Sequence, residues 1–212
     1  MIINNEDTLV KNLFKDARSV AIFVPAILGK DALAAACAIY DIAAQEGKSV
    51  KIFYNGDPET AVVFFPFAKI ESAFDSAELV ISFNYRDTPI ERVSYSTDDG
   101  VFKMKISPVE KSFDVSKIGY EFMGPRFDLV VTVGAKELGD LGSFFSDNGE
   151  LFKKAAILNI DTSAENKMYG TINVVAPEIP SLTNLVFSRI GVWGYIPTTT
   201  AVTALLLGMK KE

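Results

Sequence analysis

The sequence predicts an α/β fold in which a Rossmann-like, mostly parallel sheet is flanked by helices. Short apolar runs at Ser19–Val24, 128–133 and 155–160 have the length and composition of strands that are buried on both faces. Helical patterns separate strands along the chain, which is the alternation expected of a parallel sheet. An alternating segment at about 91–107 differs from the rest and predicts an antiparallel β-hairpin inserted at a sheet edge.

The first β-α-β unit sets the direction of the sheet. It is predicted to consist of a strand at Ser19–Val24, a helix at 30–45 and a strand at Ser49–Tyr54. A helix from Asn5 or Asp7 to about Ala17 is predicted to precede it. Apolar residues of the long helix recur at the spacing of one helical face, and Gly47 is placed to end it. The two strands are therefore expected to run parallel, joined by a right-handed crossover.

The middle of the chain departs from this pattern. A strand is predicted at 78–84, whereas 61–67 is ambiguous because Pro66 removes a backbone donor. An Asp-Asp-Gly stretch at 98–100 separates two alternating runs, which is a strong signal for a hairpin turn. The remaining elements are strands at 128–133, 155–160 and 173–175, and helices from about Glu137, at 181–189 and at 198–208.

Length and composition indicate one globular domain covering residues 1–212. Apolar residues make up 49% of the chain and charged residues 23%, which is enough to bury a sizeable core. The net charge of −6 argues against an extended nucleic-acid-binding surface, which is usually basic. With a single cysteine, Cys37, a polar N-terminus and no apolar run of the roughly 18 residues in a membrane span, we expect a cytoplasmic protein without membrane association.

Polar residues follow predicted strands at the edge where open α/β sheets bind ligands. Asp161, Thr162 and Ser163 come directly after the strand at 155–160, and Asp31 lies in the first turn of the helix after the first strand. Each carboxylate also has an ordinary explanation. Asp31 is favoured by the dipole of its helix, and Asp161 is a turn residue that bonds its own backbone.

Three segments, in this order, resemble motifs of the DHH-family phosphoesterases. They are Gly29-Lys30-Asp31-Ala32-Leu33, Gly134 with Leu138-Gly139-Asp140-Leu141-Gly142, and Asp161-Thr162-Ser163 followed by Asn166 and Gly170. The resemblance implies an N-terminal DHH-type domain, related to manganese-dependent enzymes that act on phosphodiesters. It covers most of the chain, and the sequence stops at Glu212, before the small C-terminal substrate-binding domain that is usual in the family.

The same resemblance implies that the metal site is degenerate. The family's metal-binding histidine, two of its aspartates and both histidines of the Asp-His-His motif are replaced by Pro25, Gly29, Gly134, Thr162 and Ser163. The chain contains no histidine, which also excludes Ser-His-Asp and Cys-His nucleophiles. Asp31 and Asp161 remain of the implied ligands, and two carboxylates hold a divalent ion poorly. We therefore expect no metal, no other cofactor and no catalytic residue.

Lysines near the lost acids indicate a different use of this edge. Lys30 and Lys136 follow Gly29 and Gly134 by one or two positions, and the helix N-terminus after 26–29 adds partial positive charge. An anion held without metal is the expected ligand. The predicted ligand-binding set is Lys30, Asp31, Lys136, Asp161, Thr162 and Ser163.

We interpret the chain as a pseudoenzyme of this family that binds a protein partner or a phosphate-bearing ligand, such as a nucleotide, without metal. The alternative is a phosphoesterase acting on short oligonucleotides or cyclic dinucleotides, with an atypical metal site built from Asp31, Glu137 and Asp161. A third alternative is a purely structural role. Apolar segments such as 61–67 also favour a homodimer.

Overall fold

Within the described residues, the main sheet contains six strands, and all neighbouring strands run parallel. In spatial order the strands are β10 (Ile172–Val175), β9 (Ala156–Asp161), β8 (Leu129–Val133), β1 (Ser19–Val24), β2 (Ser49–Tyr54) and β3 (Ile70–Glu71). This confirms the predicted mostly parallel α/β fold. The strand order reverses between β1 and β8, because the chain first builds outward through β2 and β3 and then returns to the other side of β1.

The computed structural model describes residues 5–57, 68–74, 78–86, 88–109, 114–123 and 126–209. The chain groups into two compact units, residues 1–75 with 125–212, and residues 76–124. We name them the sheet unit and the ribbon unit, and each is described by itself. The expectation of one domain over residues 1–212 stays a prediction, and the ambiguous segment at 61–67 lies outside the described residues.

Both faces of the main sheet are buried, as the apolar strand sequences require. In β1, Val20, Ile22 and Val24 belong to the core on one face, whereas Ala21 and Phe23 belong to the core on the other. Side chains alternate between faces along a strand, so a strand covered on both sides reads as a continuous apolar run.

Helices cover the two faces unequally. The larger core is closed by α1 (Asn5–Asp16), α2 (Gly29–Gln45), α5 (Leu182–Ile190) and α6 (Thr199–Met209), and the smaller core by α3 (Ser143–Ser146) and α4 (Gly149–Lys154). Helix α6 approaches α2 and α5 closely at Gly208, where an added Cβ would lie 2.6 Å from the Cβ of Ala34 and 2.4 Å from the Cγ2 of Thr183. No helix in the described part of the chain is long and apolar enough to span a membrane.

Helix α1 is tied to the end of α5 by a buried polar contact. The indole N–H of Trp193 donates to the carboxylate of Asp7 at 3.1 Å, and Arg189 lies 3.5 Å from the same carboxylate. Trp193 is fully buried and its ring centroid lies 6.5 Å from that of Phe14 in α1. Asp7 therefore lies in the first turn of α1 and joins the helix to the core, rather than capping it.

Two predicted elements differ from the structure. The helix expected from about Glu137 is broken into a short 3₁₀ turn at Leu138–Leu141 followed by α3 and α4, because Gly142 adopts a φ of 58° and interrupts the helical path. The strand expected at 78–84 is β4 (Glu78–Ser82), which pairs antiparallel with β7 (Gly119–Met123) in the ribbon unit instead of joining the parallel sheet.

The ribbon unit contains the predicted hairpin. Its strands are β5 (Ile90–Asp98) and β6 (Val101–Pro108), paired antiparallel. The turn between them has a φ of 50° at Asp99 and 76° at Gly100, so both central residues are left-handed, as a type I′ turn requires. The Asp-Asp-Gly signal is therefore confirmed.

Candidate functional site

The candidate site is the edge of the sheet unit where β1 and β8 end. Ligands in open α/β folds bind at the carboxyl ends of the strands, at the point where the strand order reverses. Three loops lie at these carboxyl ends: residues 25–29 after β1, residues 134–137 after β8 and residues 162–171 after β9. We call this region the crevice.

The carboxylate of Asp31 accepts hydrogen bonds from the first turn of α5. Its two carboxylate oxygens accept the N–H groups of Leu182 at 2.9 Å and of Thr183 at 3.0 Å, and the Thr183 hydroxyl donates to it at 2.6 Å. Ser181 accepts the N–H of Asn184, so the first turn of α5 is capped by two side chains. The negative charge of Asp31 thus lies at the positive end of α5, where it stabilises that helix.

The space above Gly134 is filled by two leucine side chains. Gly134 has a φ of 81°, and an added Cβ would lie 2.3 Å from the Cδ1 of Leu28 and 2.8 Å from the Cδ1 of Leu182. Distances below 3.0 Å are not reached by real Cβ atoms, so any side chain here requires the leucines to move. In the resembled family this position carries an aspartate, and here the corresponding volume is apolar.

Asp161 is buried and its carboxylate is engaged by its own loop. It accepts the N–H of Thr162 at 2.7 Å, the N–H of Ser163 at 3.2 Å and the side-chain amide of Asn166 at 2.7 Å. This is an Asx-type turn, as the ordinary explanation of Asp161 predicts. The structure therefore brings together three of the predicted site residues, Asp161, Thr162 and Ser163. Their contacts are hydrogen bonds from the backbone N–H groups of Thr162 and Ser163 to the Asp161 carboxylate.

A network of side-chain amides holds the loop after β9 against the strand ends. The amide of Asn159 donates to Asn166 at 2.7 Å and to Asn173 at 2.9 Å, while Asn166 donates to the carbonyl of Ala135 at 3.0 Å. Gly170 is needed beneath this network, because an added Cβ would lie 2.5 Å from the carbonyl oxygen of Ile172. The loops after β8 and β9 are thus fixed to each other by partly buried hydrogen bonds.

Tyr169 closes the network on the side of β8. Its hydroxyl lies 2.7 Å from the hydroxyl of Thr132 and donates to the carbonyl of Ala135 at 3.1 Å. Burial raises the pKa of Tyr169, and the nearby carboxylates of Asp161 and Asp140 raise it further, whereas its hydrogen bond with Thr132 acts in the opposite direction. A phenol held neutral in this way is a structural donor and a poor general base.

Lys136 is paired with an acid of the neighbouring loop. Its ammonium donates to the carboxylate of Glu165 at 2.5 Å, and this hydrogen bond, with the charge of Glu165, raises the lysine pKa. The backbone N–H of Lys136 donates to Asp140 at 2.8 Å, and Glu137 and Asp140 together form a capping box for the 3₁₀ turn. Lys136 and Glu137 thus serve the local fold of this loop.

Lys30 lies in the first turn of α2, after the short 3₁₀ turn at Ala26–Leu28. In the described part of the chain, the N-terminus of α2 has no side-chain cap, in contrast to that of α5. Ile27, next to it, is 89% exposed, and Leu28 is partly exposed above Gly134. The mouth of the crevice therefore presents apolar side chains beside an uncapped helix end.

The residues present do not fit the manganese pair that the resemblance implies. Within the described ranges, no group of three or more Asp, Glu, His or Cys side chains could hold a metal ion. Both candidate carboxylates already accept backbone N–H groups, and Leu28 and Leu182 fill the place of a third. A divalent ion needs several oxygen or nitrogen ligands around one point, which this arrangement does not provide.

The same fold occurs in a phosphatase-related protein. Among solved structures, a similar chain is an exopolyphosphatase-related protein from Bacteroides fragilis, with a TM-score of 0.61 and 14% sequence identity. The match covers 96% of this chain and 48% of that one, so the present chain spans about half the length of its neighbour. At this identity the likeness shows a shared fold. No protein-family model and no curated protein matches the chain.

Sequence reasoning missed the residues that shape the crevice most. Leu28 and Leu182 are 154 positions apart, and nothing in either segment indicates that they meet above Gly134. Asn166 belongs to one of the motifs that resemble the DHH family, but its role as the centre of an amide network follows only from its contacts with Asn159, Asp161 and Ala135. The available signal was the density of asparagine in and beside β9 and β10.

Proposed function

We propose that this chain is a non-catalytic relative of the DHH-family phosphoesterases that binds a protein partner at its crevice without metal. The apolar filling above Gly134 carries this proposal, because any side chain at that position, a metal-bridging carboxylate included, requires Leu28 and Leu182 to move. The exopolyphosphatase-related neighbour supports a phosphoesterase-like fold as the starting point. Function then depends on the residues of the site rather than on the fold.

The exposed apolar residues favour a protein over a phosphate as the main ligand. Ile27 is 89% exposed at the crevice mouth and Leu28 is partly exposed beside it. The ammonium of Lys136, one of the two lysines expected to hold an anion, is already paired with Glu165. Apolar side chains at the mouth of a rigid crevice are typical of a surface that another protein covers.

A hydrolysis assay tests the absence of catalysis. Purified chain, supplied with Mn²⁺, is incubated with bis(p-nitrophenyl) phosphate, a short oligoribonucleotide and a cyclic dinucleotide. We expect hydrolysis no faster than the blank for all three. The alternative site of Asp31, Glu137 and Asp161 would instead give turnover that disappears in Asp31→Asn and Asp161→Asn, and that result would overturn the proposal.

A matched pair of variants tests the protein partner. Ile196 is 87% exposed, and the neighbouring Thr198 donates to Asp41 near the C-terminal end of α2, so it lies at the end of the sheet unit opposite the crevice. Proteins that co-purify with the wild-type chain should be lost with Ile27→Glu and retained with Ile196→Glu. A partner equally retained by both variants would place binding away from the crevice.

A phosphate-bearing ligand is the second candidate, favoured by one observation. The N-terminus of α2 has no side-chain cap among the described residues, and Lys30 lies in its first turn. NMR titration with phosphate, AMP and a dinucleotide, in the presence of a chelator, is the test. Binding that weakens with Lys30→Ala, and falls with added salt, would move this candidate ahead of the protein partner.

A further inference from the structure

The hairpin of β5 and β6 sorts its side chains onto two chemically distinct faces. Residues directly opposite each other in an antiparallel pair project to the same side. One face carries the pairs Val93 with Ile106, Tyr95 with Met104, and Thr97 with Phe102. The other face carries the pairs Ser94 with Lys105, Ser96 with Lys103, and Asp98 with Val101. We call the first of these the apolar hairpin face.

The apolar hairpin face is exposed. Tyr95 is 79% exposed and Phe102 is 64% exposed, and their rings stack on each other with centroids 6.0 Å apart. Val93 and Met104 are exposed as well. A two-stranded hairpin alone is only marginally stable in water, and contiguous exposed apolar surface usually marks an interaction site.

We infer that the apolar hairpin face is a homodimer interface, packed against the same face of a second copy of this chain. It carries no charged residue, so two copies of a chain with net charge −6 can meet there without opposing like charges. The charged residues of the hairpin, such as Lys103 and Lys105, lie on the opposite face. A face that contacts its own copy forms a closed two-fold pair.

The area of the face is adequate for a dimer. With aromatic side chains of about 150–250 Å² among its members, the face offers on the order of 500 Å² per copy. Two copies would then cover about 1,000 Å² in total, which is where specific interfaces begin. In the same unit, β4 and β7 expose Leu79, Ile81 and Tyr120 on one side of their ribbon, which adds apolar surface to the unit.

This inference does not rest on the proposed function of the crevice, which lies in the other unit. It also differs from the expectation that the segment 61–67 forms a dimer interface, because that segment is outside the described residues. Ile27→Glu, which tests the crevice, should leave the dimer intact. Loss of partner binding at the crevice can therefore be separated from loss of the dimer.

Sedimentation velocity over a range of concentrations tests the dimer. We expect twice the monomer mass for the wild-type chain and half that mass for Phe102→Lys. Val101→Lys is the matched control, because Val101 is the adjacent residue, is also exposed and lies on the opposite face. A monomeric wild-type chain, or a dimer that survives Phe102→Lys, would overturn the inference.

Cross-linking gives a second readout that does not depend on stability. Cys37 is the single cysteine of the chain and is buried, so an introduced surface cysteine is the accessible thiol. Met104→Cys, at the centre of the apolar hairpin face, should give covalent dimers with a short bis-maleimide, whereas Lys103→Cys on the opposite face should not. Equal cross-linking of both variants, or cross-linking of neither, would contradict a dimer through this face.

Discussion

At the residue scale, Gly134 and the two leucines above it decide what the crevice can hold. The left-handed backbone of Gly134 is matched by glycine and, less often, by asparagine or aspartate, and any side chain there requires Leu28 and Leu182 to move. A carboxylate at this position is therefore opposed by packing rather than by backbone conformation.

Gly134→Ala should be more destabilising than Gly47→Ala by about 1–3 kcal/mol, the usual cost of forcing extra volume into a packed site. The two glycines have similar positive φ, 81° and 73°, but nothing lies within 4 Å of a Cβ built on Gly47. The comparison therefore isolates the clash with Leu28 and Leu182 from the backbone strain. Urea unfolding measures the free energy of unfolding of each variant. Because Leu182→Ala removes one of the two clashing side chains, Gly134→Ala should cost less stability in a Leu182→Ala background than in the wild-type chain. Equal losses of unfolding free energy in the two single glycine variants would show that the space above Gly134 accepts a methyl group without a clash.

Asp31→Ala should lower the free energy of unfolding by about 0.5–2 kcal/mol, as expected for the loss of a helix cap. The reason is that the N–H groups of Leu182 and Thr183 would lose their acceptor. Lys30→Ala, one position earlier in α2, is the control and should change stability little. If both variants unfold at the same urea concentration, Asp31 is not holding α5.

The sequence could predict that Asp31 and Asp161 stand at the crevice, because each follows a recognisable strand or helix start. It could also predict the Asx-type turn of Asp161, whose partners Thr162 and Ser163 are its neighbours in sequence. The capping of α5 by Asp31 joins residues 151 positions apart, and no local pattern encodes such a pairing.

At the element scale, the hairpin depends on the conformation of two residues. Gly100→Val should weaken it by about 1 kcal/mol or more, because a β-branched residue is strained at positive φ. Hydrogen exchange should show faster exchange in β5 and β6, with β1, β2 and β8 still protected. Asp99→Gly is the control and should preserve protection, since glycine accepts the φ of 50° found at Asp99. Lost protection in the parallel strands would contradict a hairpin that folds as an insertion.

The start of β8 is joined to the start of β1 by one carboxylate. Asp128 accepts the N–H groups of Arg18 at 2.9 Å and Ser19 at 3.0 Å, and these hydrogen bonds lower its pKa. A lowered pKa in the folded state means that the stabilisation is present above the unfolded pKa of about 3.9 and is lost as the pH falls through the folded value.

The difference in unfolding free energy between the wild-type chain and Asp128→Asn should therefore decrease as the pH is lowered. We expect the wild type to be more stable at neutral pH and the two to converge as the pH falls below about 4 and through the lowered pKa of the folded carboxylate. Thermal unfolding at several pH values gives the comparison, with Asp147→Asn as a control for the loss of a surface carboxylate whose partner, Ser146, is adjacent. If the stability difference between the wild-type chain and Asp128→Asn does not change with pH, it arises from packing and not from the charge of Asp128.

The elements that the sequence predicted well are the mostly buried strands at the centre of the parallel sheet. β1 and β2 have the predicted bounds, β8 begins one residue later than predicted but ends at the predicted residue, and β9 is displaced by one residue. β3 has two residues, too few to give a pattern, and the pairing of β4 with β7 joins strands about 40 residues apart. Register between distant strands is a tertiary property, so the sequence alone did not indicate it.

At the scale of the whole molecule, the chain shares the fold of an exopolyphosphatase-related protein, whereas its described residues contain no group of three or more Asp, Glu, His or Cys side chains that could hold a metal ion. We expect that Mn²⁺ loading followed by desalting leaves less than one ion per chain. The carboxylates of Asp31 and Asp161 are satisfied by backbone donors, so a metal would have to displace them. Elemental analysis measures the content, with a chelator-treated sample as control. Two tightly bound, chelator-sensitive ions per chain would contradict this.

The contact between Trp193 and Asp7 has an optical consequence. Trp193 is the single tryptophan of the chain, so all indole emission comes from one buried ring whose N–H is bonded to the first turn of α1. Release of that helix would hydrate the ring and shift its emission to longer wavelength, even while the parallel strands kept their circular dichroism. Intrinsic fluorescence therefore follows the docking of the 12-residue α1 and reports only indirectly on the melting of the sheet.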